Sequence, residues 1–122
     1  MNDKRPVNLA LGTIQFPLPA IVSILHRLSG LALFGLVPFL VWAWGYSLSS
    51  PENFAALAGS ALFKGAVVVL LAGLVYHTIA GFKHLLMDAG VGETLESARV
   101  LSAATLGLSA VIVIALGVWV WA

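Results

Sequence analysis

His77 lies in an 18-residue stretch, residues 65–82, that contains no Asp, Glu, Lys or Arg. A histidine in so apolar a helix is costly in hydrocarbon and by default calls for a function. At about 100° per residue, Gly73, His77, Gly81, His84 and Asp88 fall within roughly 40° of one direction, so two imidazoles share a glycine-lined stripe. Neutral imidazole nitrogen is an axial ligand of haem iron, and glycines beside it leave room for a flat, wide group. The same stripe also suits a helix contact in which His77 hydrogen-bonds to a neighbouring helix while Gly73 and Gly81 let two backbones approach. His84, nearer the end of its helix, also has a place facing water or lipid headgroups.

A second cluster precedes the first long apolar run. Ser23, His26 and Arg27 are spaced i, i+3 and i+4 and share a helical face, with Gly30 one turn further on. A hydroxyl, an imidazole and a guanidinium around a small residue can bind the oxygens of a ligand whose body is apolar, as a quinone headgroup requires. An interfacial arginine snorkelling to lipid phosphate is the alternative for Arg27.

The elements that must position these residues follow from composition. Of 122 residues, 61% are hydrophobic and only 9% charged, too apolar for an ordinary soluble domain of this length. Residues 28–48, 65–82 and 100–122 lack all four charged types over 21, 18 and 23 residues. Each run is long enough for a helix to cross a hydrocarbon core about 30 Å thick. Their continuous apolarity, without period-two alternation, argues against a spanning β-barrel. The expected fold is therefore all-α: one membrane-anchor domain over residues 1–122, with spans at about 20–46, 62–87 and 100–121. Residues 7–16, with Pro17 and Pro19 following, are expected at the membrane surface. Ser50, Pro51 and Glu52 read as N-cap, N1 and N2 of a short surface helix ending near Gly59, and Pro38 marks a kink site. Residues 88–97, with Gly90, Gly92 and three acidic side chains, read as the loop before the last span.

Without cysteine, the chain has no disulfide, no thiolate catalysis, no covalent c-type haem attachment and no iron–sulfur ligation of its own. The first apolar run starts too late and runs too long for a cleaved signal peptide, and no transit-peptide pattern precedes it. Scattered basic residues form no patch for nucleic acid. Lys4, Arg5, Arg27, Lys83 and Arg99 fall on one side of the three spans and Lys64 on the other, which places the N-terminus and the second loop in the cytoplasm. Trp42, Trp44, Tyr46, Trp119 and Trp121 then gather at the outer interface as an aromatic belt.

Two segments resemble a known family. Arg5-Pro6-Val7-Asn8-Leu9 followed by Ser23-Ile24-Leu25-His26-Arg27-Leu28-Ser29-Gly30 is similar to the first signature of the succinate dehydrogenase cytochrome b subunits. His77-Thr78-Ile79-Ala80-Gly81-Phe82-Lys83-His84-Leu85-Leu86-Met87-Asp88 is similar to the second, and Ser47-Leu48-Ser49-Ser50-Pro51-Glu52 resembles a loop of bacterial members. Lys83 departs from the pattern, which has arginine there: the charge is kept and the planar five-donor fork is lost.

The resemblance implies a multi-pass subunit of the bacterial inner membrane, N-terminus cytoplasmic and C-terminus periplasmic, serving electron transfer from succinate to quinone in the respiratory chain and tricarboxylic acid cycle. It implies one haem b with His77 as axial ligand of the iron, His84 and His26 near its propionates, and Ser23 and Arg27 at a ubiquinone site. Asp88 is a candidate proton relay. The implied partners are a flavoprotein that oxidises succinate, an iron–sulfur subunit and a second small hydrophobic anchor. Because two axial nitrogens approach one iron from opposite sides, that second anchor is expected to supply the other haem ligand. A quinol:fumarate reductase anchor is the close variant, and a purely structural anchor is the reading without redox cofactor.

Overall fold

The computed structural model describes residues 16–122. The surface segment expected at 7–16, the basic pair Lys4 and Arg5, and the start of the first signature thus lie outside the described residues, apart from Phe16. Four helices follow in order: α1 (Leu18–Ser49), α2 (Pro51–Gly59), α3 (Ala61–Asp88) and α4 (Leu95–Trp121). Three of them, α1, α3 and α4, are long and apolar enough to cross a membrane.

The prolines at the start of α1 lack the N–H groups that a first helical turn leaves unpaired, so the helix begins without a side-chain cap, two residues ahead of the expected start. α1 continues through Pro38 as one 32-residue helix. It also outlasts its expected end at Tyr46. There Ser47 Oγ donates to the Trp44 carbonyl at 2.7 Å and Ser49 Oγ to the Tyr46 carbonyl at 2.6 Å, so both hydroxyls are satisfied within the helix.

α2 forms as read from the sequence. Ser50 Oγ accepts from the Asn53 N–H at 3.0 Å, with Pro51 at N1 and Glu52 in the first turn, where a negative charge suits the helix dipole. Ser60 then caps α3 by accepting from the Phe63 N–H at 3.3 Å. α3 closes in a Schellman motif: the Val91 N–H reaches the Leu86 carbonyl at 2.9 Å and the Gly90 N–H the Met87 carbonyl at 3.0 Å. Gly90 supplies the φ of +90° this ending needs.

The last helix differs most from expectation. It starts at Leu95 and not near residue 100, because Thr94 caps it, accepting from the Ser97 N–H at 3.2 Å. Glu96 and Arg99 interrupt the apolar run, yet a charged first turn outside hydrocarbon costs a helix nothing once its donors are capped. The loop shrinks to residues 89–94. Gly92, at φ +77°, sits beneath Leu101, where a side chain would clash.

Helix packing relies on small residues. On α4 the buried positions are Ala98, Ser102, Thr105 and Ser109, one stripe at near-heptad spacing. Ser102 Oγ and Thr105 Oγ1 donate back to their own helix, to the carbonyls of Ala98 and Leu101, each at 2.8 Å. Ala80 on α3 and Val22 on α1 are fully buried. Large apolar side chains such as Leu31, Phe34 and Leu62 remain widely exposed, as a surface solvated by lipid or covered by other membrane subunits requires.

Candidate functional site

α1 and α3 run antiparallel, which sets His26, eight residues into α1, beside the second half of α3, where His77 and His84 lie about two turns apart on one face. The structure brings all three imidazoles together. The His26 ring stacks on that of His77 with centroids 4.2 Å apart and planes 9° from parallel. It meets His84 edge-on at 5.2 Å and 60°. His26 thus fills the gap between the two α3 histidines, and all three remain half-buried.

His77 is held by α1. Its Nδ1 lies 3.1 Å from the His26 carbonyl oxygen and 3.0 Å from Ser29 Oγ. One turn on, Gly30 gives the ring its space: a Cβ there would stand 2.8 Å from His77 Cε1, closer than carbon atoms pack. Gly30 therefore serves the imidazole of His77 and not the Ser23 and Arg27 cluster in which the sequence places it. Adjoining this, Tyr76 Oη donates to the Val22 carbonyl at 2.7 Å.

The glycines of the α3 stripe go to helix contact. Gly81 faces His26, whose Nε2 would lie 3.3 Å from an added Cβ, and Gly73 faces Leu33 at 3.7 Å. Both glycines thus make room for side chains of α1, and His77 hydrogen-bonds to that helix as the helix-contact reading of the stripe expects.

The other expected site residues sit near this cluster without joining it. Ser23 is half-buried and Arg27 exposed on the same α1 face region, and Asp88 is exposed at the end of α3, one turn beyond His84. Lys83 is 4% exposed. It lines a small cleft with Phe82 and Leu86 of α3 and Leu101 and Thr105 of α4. Ser29 and Tyr76 are the contributors sequence reasoning passed over. The available signal for Ser29 was its position, i+3 from His26 and adjacent to Gly30.

Among the described residues, no three His, Asp or Glu side chains converge to enclose a metal ion. The cluster offers instead one imidazole whose Nδ1 is occupied and whose Nε2 has no hydrogen-bond partner among the described residues. Such a nitrogen suits a metal whose remaining ligands come from elsewhere, as in a macrocycle.

A three-span helical membrane protein with a half-buried histidine cluster between its first and second spans is the class this fold and site define. Comparison with known sequences gives the particular family. The family described as succinate dehydrogenase/fumarate reductase transmembrane subunit matches residues 1–116, and the chain belongs to it. Among its relatives, the succinate dehydrogenase cytochrome b556 subunit of Coxiella burnetii is 37% identical over 99% of this chain and 100% of its own length. The subunit of the same description from Paracoccus denitrificans is 33% identical over 90% of this chain and 87% of its own. That from Rickettsia prowazekii is 32% identical over 80% and 78%. The chain is accordingly a membrane-anchor subunit of a succinate dehydrogenase, an oxidoreductase complex, and not a complete enzyme.

Proposed function

We propose that this chain holds a single haem b through Nε2 of His77 and contributes Ser23 and Arg27 to the site where quinone is reduced. The observation that carries the reading is the anchored ring: Nδ1 of His77 is tied to the backbone of α1, and Gly30 seats the ring edge. The relatives' description as cytochromes b agrees with it. When bound, haem supplies a one-electron centre beside the route from the iron–sulfur subunit to quinone.

The His26 ring is stacked on the face of His77, so within this chain His77 alone would offer its free Nε2 to the iron. A further ligand would come from a second small anchor subunit, with which the haem would be shared. His26 and His84, packed edge to face at the N-terminal end of α1, are placed to donate to propionate oxygens. Arg27 holds the quinone oxygen that gains negative charge, Ser23 donates to the carbonyl region, and Asp88 with His84 one turn away passes protons from the water phase to the reduced quinone.

This end of the bundle faces the cytoplasm, since Arg27, Lys83 and Arg99 lie there and Lys64 at the opposite end. It is where the iron–sulfur and flavoprotein subunits attach, in the bacterial inner membrane. The physiological direction we assign is succinate oxidation, as the relatives are described.

Reduced-minus-oxidised absorption of the purified complex tests the haem. The wild type shows a b-type spectrum and His77→Ala loses it while the subunits stay assembled; a wild-type-like spectrum in that variant overturns the ligand assignment. For the quinone site, Arg27→Ala removes a charge-assisted hydrogen bond that contributes about 1.5–3 kcal/mol, so quinone reduction falls roughly 10- to 150-fold. Succinate oxidation with an acceptor that draws electrons ahead of the membrane stays near normal. Equal loss in both assays, or in neither, removes Arg27 from the quinone site.

A further inference from the structure

Three polar atoms form a closed triangle between α1 and α3. Ser29 Oγ is 2.7 Å from the His26 carbonyl oxygen, His77 Nδ1 is 3.0 Å from Ser29 Oγ, and the same Nδ1 is 3.1 Å from the His26 carbonyl. Only one arrangement of hydrogens puts a donor in all three contacts. Were Ser29 to donate to Nδ1, the 2.7 Å contact between two oxygens and the 3.1 Å contact to the carbonyl would hold no hydrogen, so the hydroxyl hydrogen of Ser29 goes to His26 O. Toward His77, Ser29 Oγ is then left with lone pairs alone. Both neighbours of Nδ1 are acceptors, Nδ1 carries the hydrogen, and in the neutral ring Nε2 keeps its lone pair.

From this we infer that Ser29 is a positioning residue for the haem ligand. Its hydroxyl fixes His77 in the Nδ1–H form, sets the ring's rotation, and makes Nε2 a stronger donor by accepting from the opposite edge of the ring. The inference rests on the haem reading above and adds a residue which that reading does not need. A ligating imidazole whose far N–H is well accepted is more electron-rich and favours ferric over ferrous iron. Ser29 thereby holds the midpoint potential of the haem down. Without Ser29, the His26 carbonyl is the one acceptor left at Nδ1 among the described residues.

Haem content per complex and the midpoint potential from a spectroscopic redox titration are the readouts, taken on the assembled complex carrying Ser29→Ala, Ser29→Cys or Ser29→Thr. Ser29→Ala is expected to raise the potential and to lower haem retention about 10- to 100-fold. Ser29→Cys, close in volume but a weak acceptor, shifts the same way and answers the question if the alanine variant does not assemble. Ser29→Thr, which keeps the hydroxyl, returns both readouts to wild type. The inference is overturned if the alanine and cysteine variants keep the wild-type potential and haem content, or if threonine shifts as far as alanine. A wild-type complex with no b-type spectrum removes the haem reading and this inference together. A wild-type spectrum lost in His77→Ala but untouched in the Ser29 variants removes this inference alone.

Discussion

The contact between α1 and α3 and the contact between α3 and α4 bury similar kinds of small residues but handle their polar groups in opposite ways. Across α1 and α3, side chains reach over to the other helix: Tyr76 to the Val22 carbonyl, His77 to the His26 carbonyl and to Ser29. Between α3 and α4, the buried hydroxyls of Ser102 and Thr105 turn back to their own helix, and Ser109 Oγ is buried with no partner in the described structure. The first arrangement fixes the rotation of one helix against the other, because each cross-helix bond is directional. The second fixes only distance, since a hydroxyl satisfied within its own turn presents little more than its volume. Chemistry that depends on aiming one nitrogen belongs at the first contact, and the histidines are there.

This contrast predicts a graded set of outcomes. Gly30→Ala has the largest effect of the set, because the new Cβ would stand 2.8 Å from Cε1 of a ring whose Nδ1 is already tied down. Overpacking of this kind costs about 1–3 kcal/mol, and haem content should fall with the stability of the purified complex. Gly73→Ala, on the same contact but with Leu33 at 3.7 Å, is the matched control and should leave haem content unchanged. Equal effects from both substitutions would mean that the ring of His77 is not seated on Gly30.

Next in size, Tyr76→Phe deletes one directional bond between α1 and α3 while keeping the ring volume. Cross-helix hydrogen bonds in membranes contribute about 0.6 kcal/mol on average, so a small drop in denaturation midpoint is expected, with an unaltered haem spectrum. The smallest effect falls on the other contact: Ser102→Ala removes a hydroxyl bonded only to its own helix and should change stability by no more than about 0.5 kcal/mol. A loss from Ser102→Ala larger than that from Tyr76→Phe would reverse the comparison and give α3 and α4 the directional role.

What was legible in the sequence follows from short-range physics. Charge-free runs locate three spans, because hydrocarbon penalises each ionised side chain wherever it falls. Periodicity places His77 and His84 on one face, and Ser50 before Pro51 marks the start of α2. The first turn of α4 was missed because the run of apolar residues stops at Arg99, while the N-cap at Thr94, not hydropathy, decides where that helix begins. The site itself was legible only as separate halves. Ser23, His26 and Arg27 read as one cluster and His77 with His84 as another, since each half repeats within a single helix. Their union depends on pairs 48 and 51 residues apart, Ser29 with His77 and His26 with His77. No periodicity within one helix encodes such pairs. They arise from how far α1 is turned and slid against α3, and that is decided where Gly30 and Gly81 admit imidazole rings between the two backbones. The residue types that can bind a metal or a quinone were thus determined by sequence alone; which imidazole is anchored, by which atoms, and with which nitrogen left free was decided by the packing of two helices.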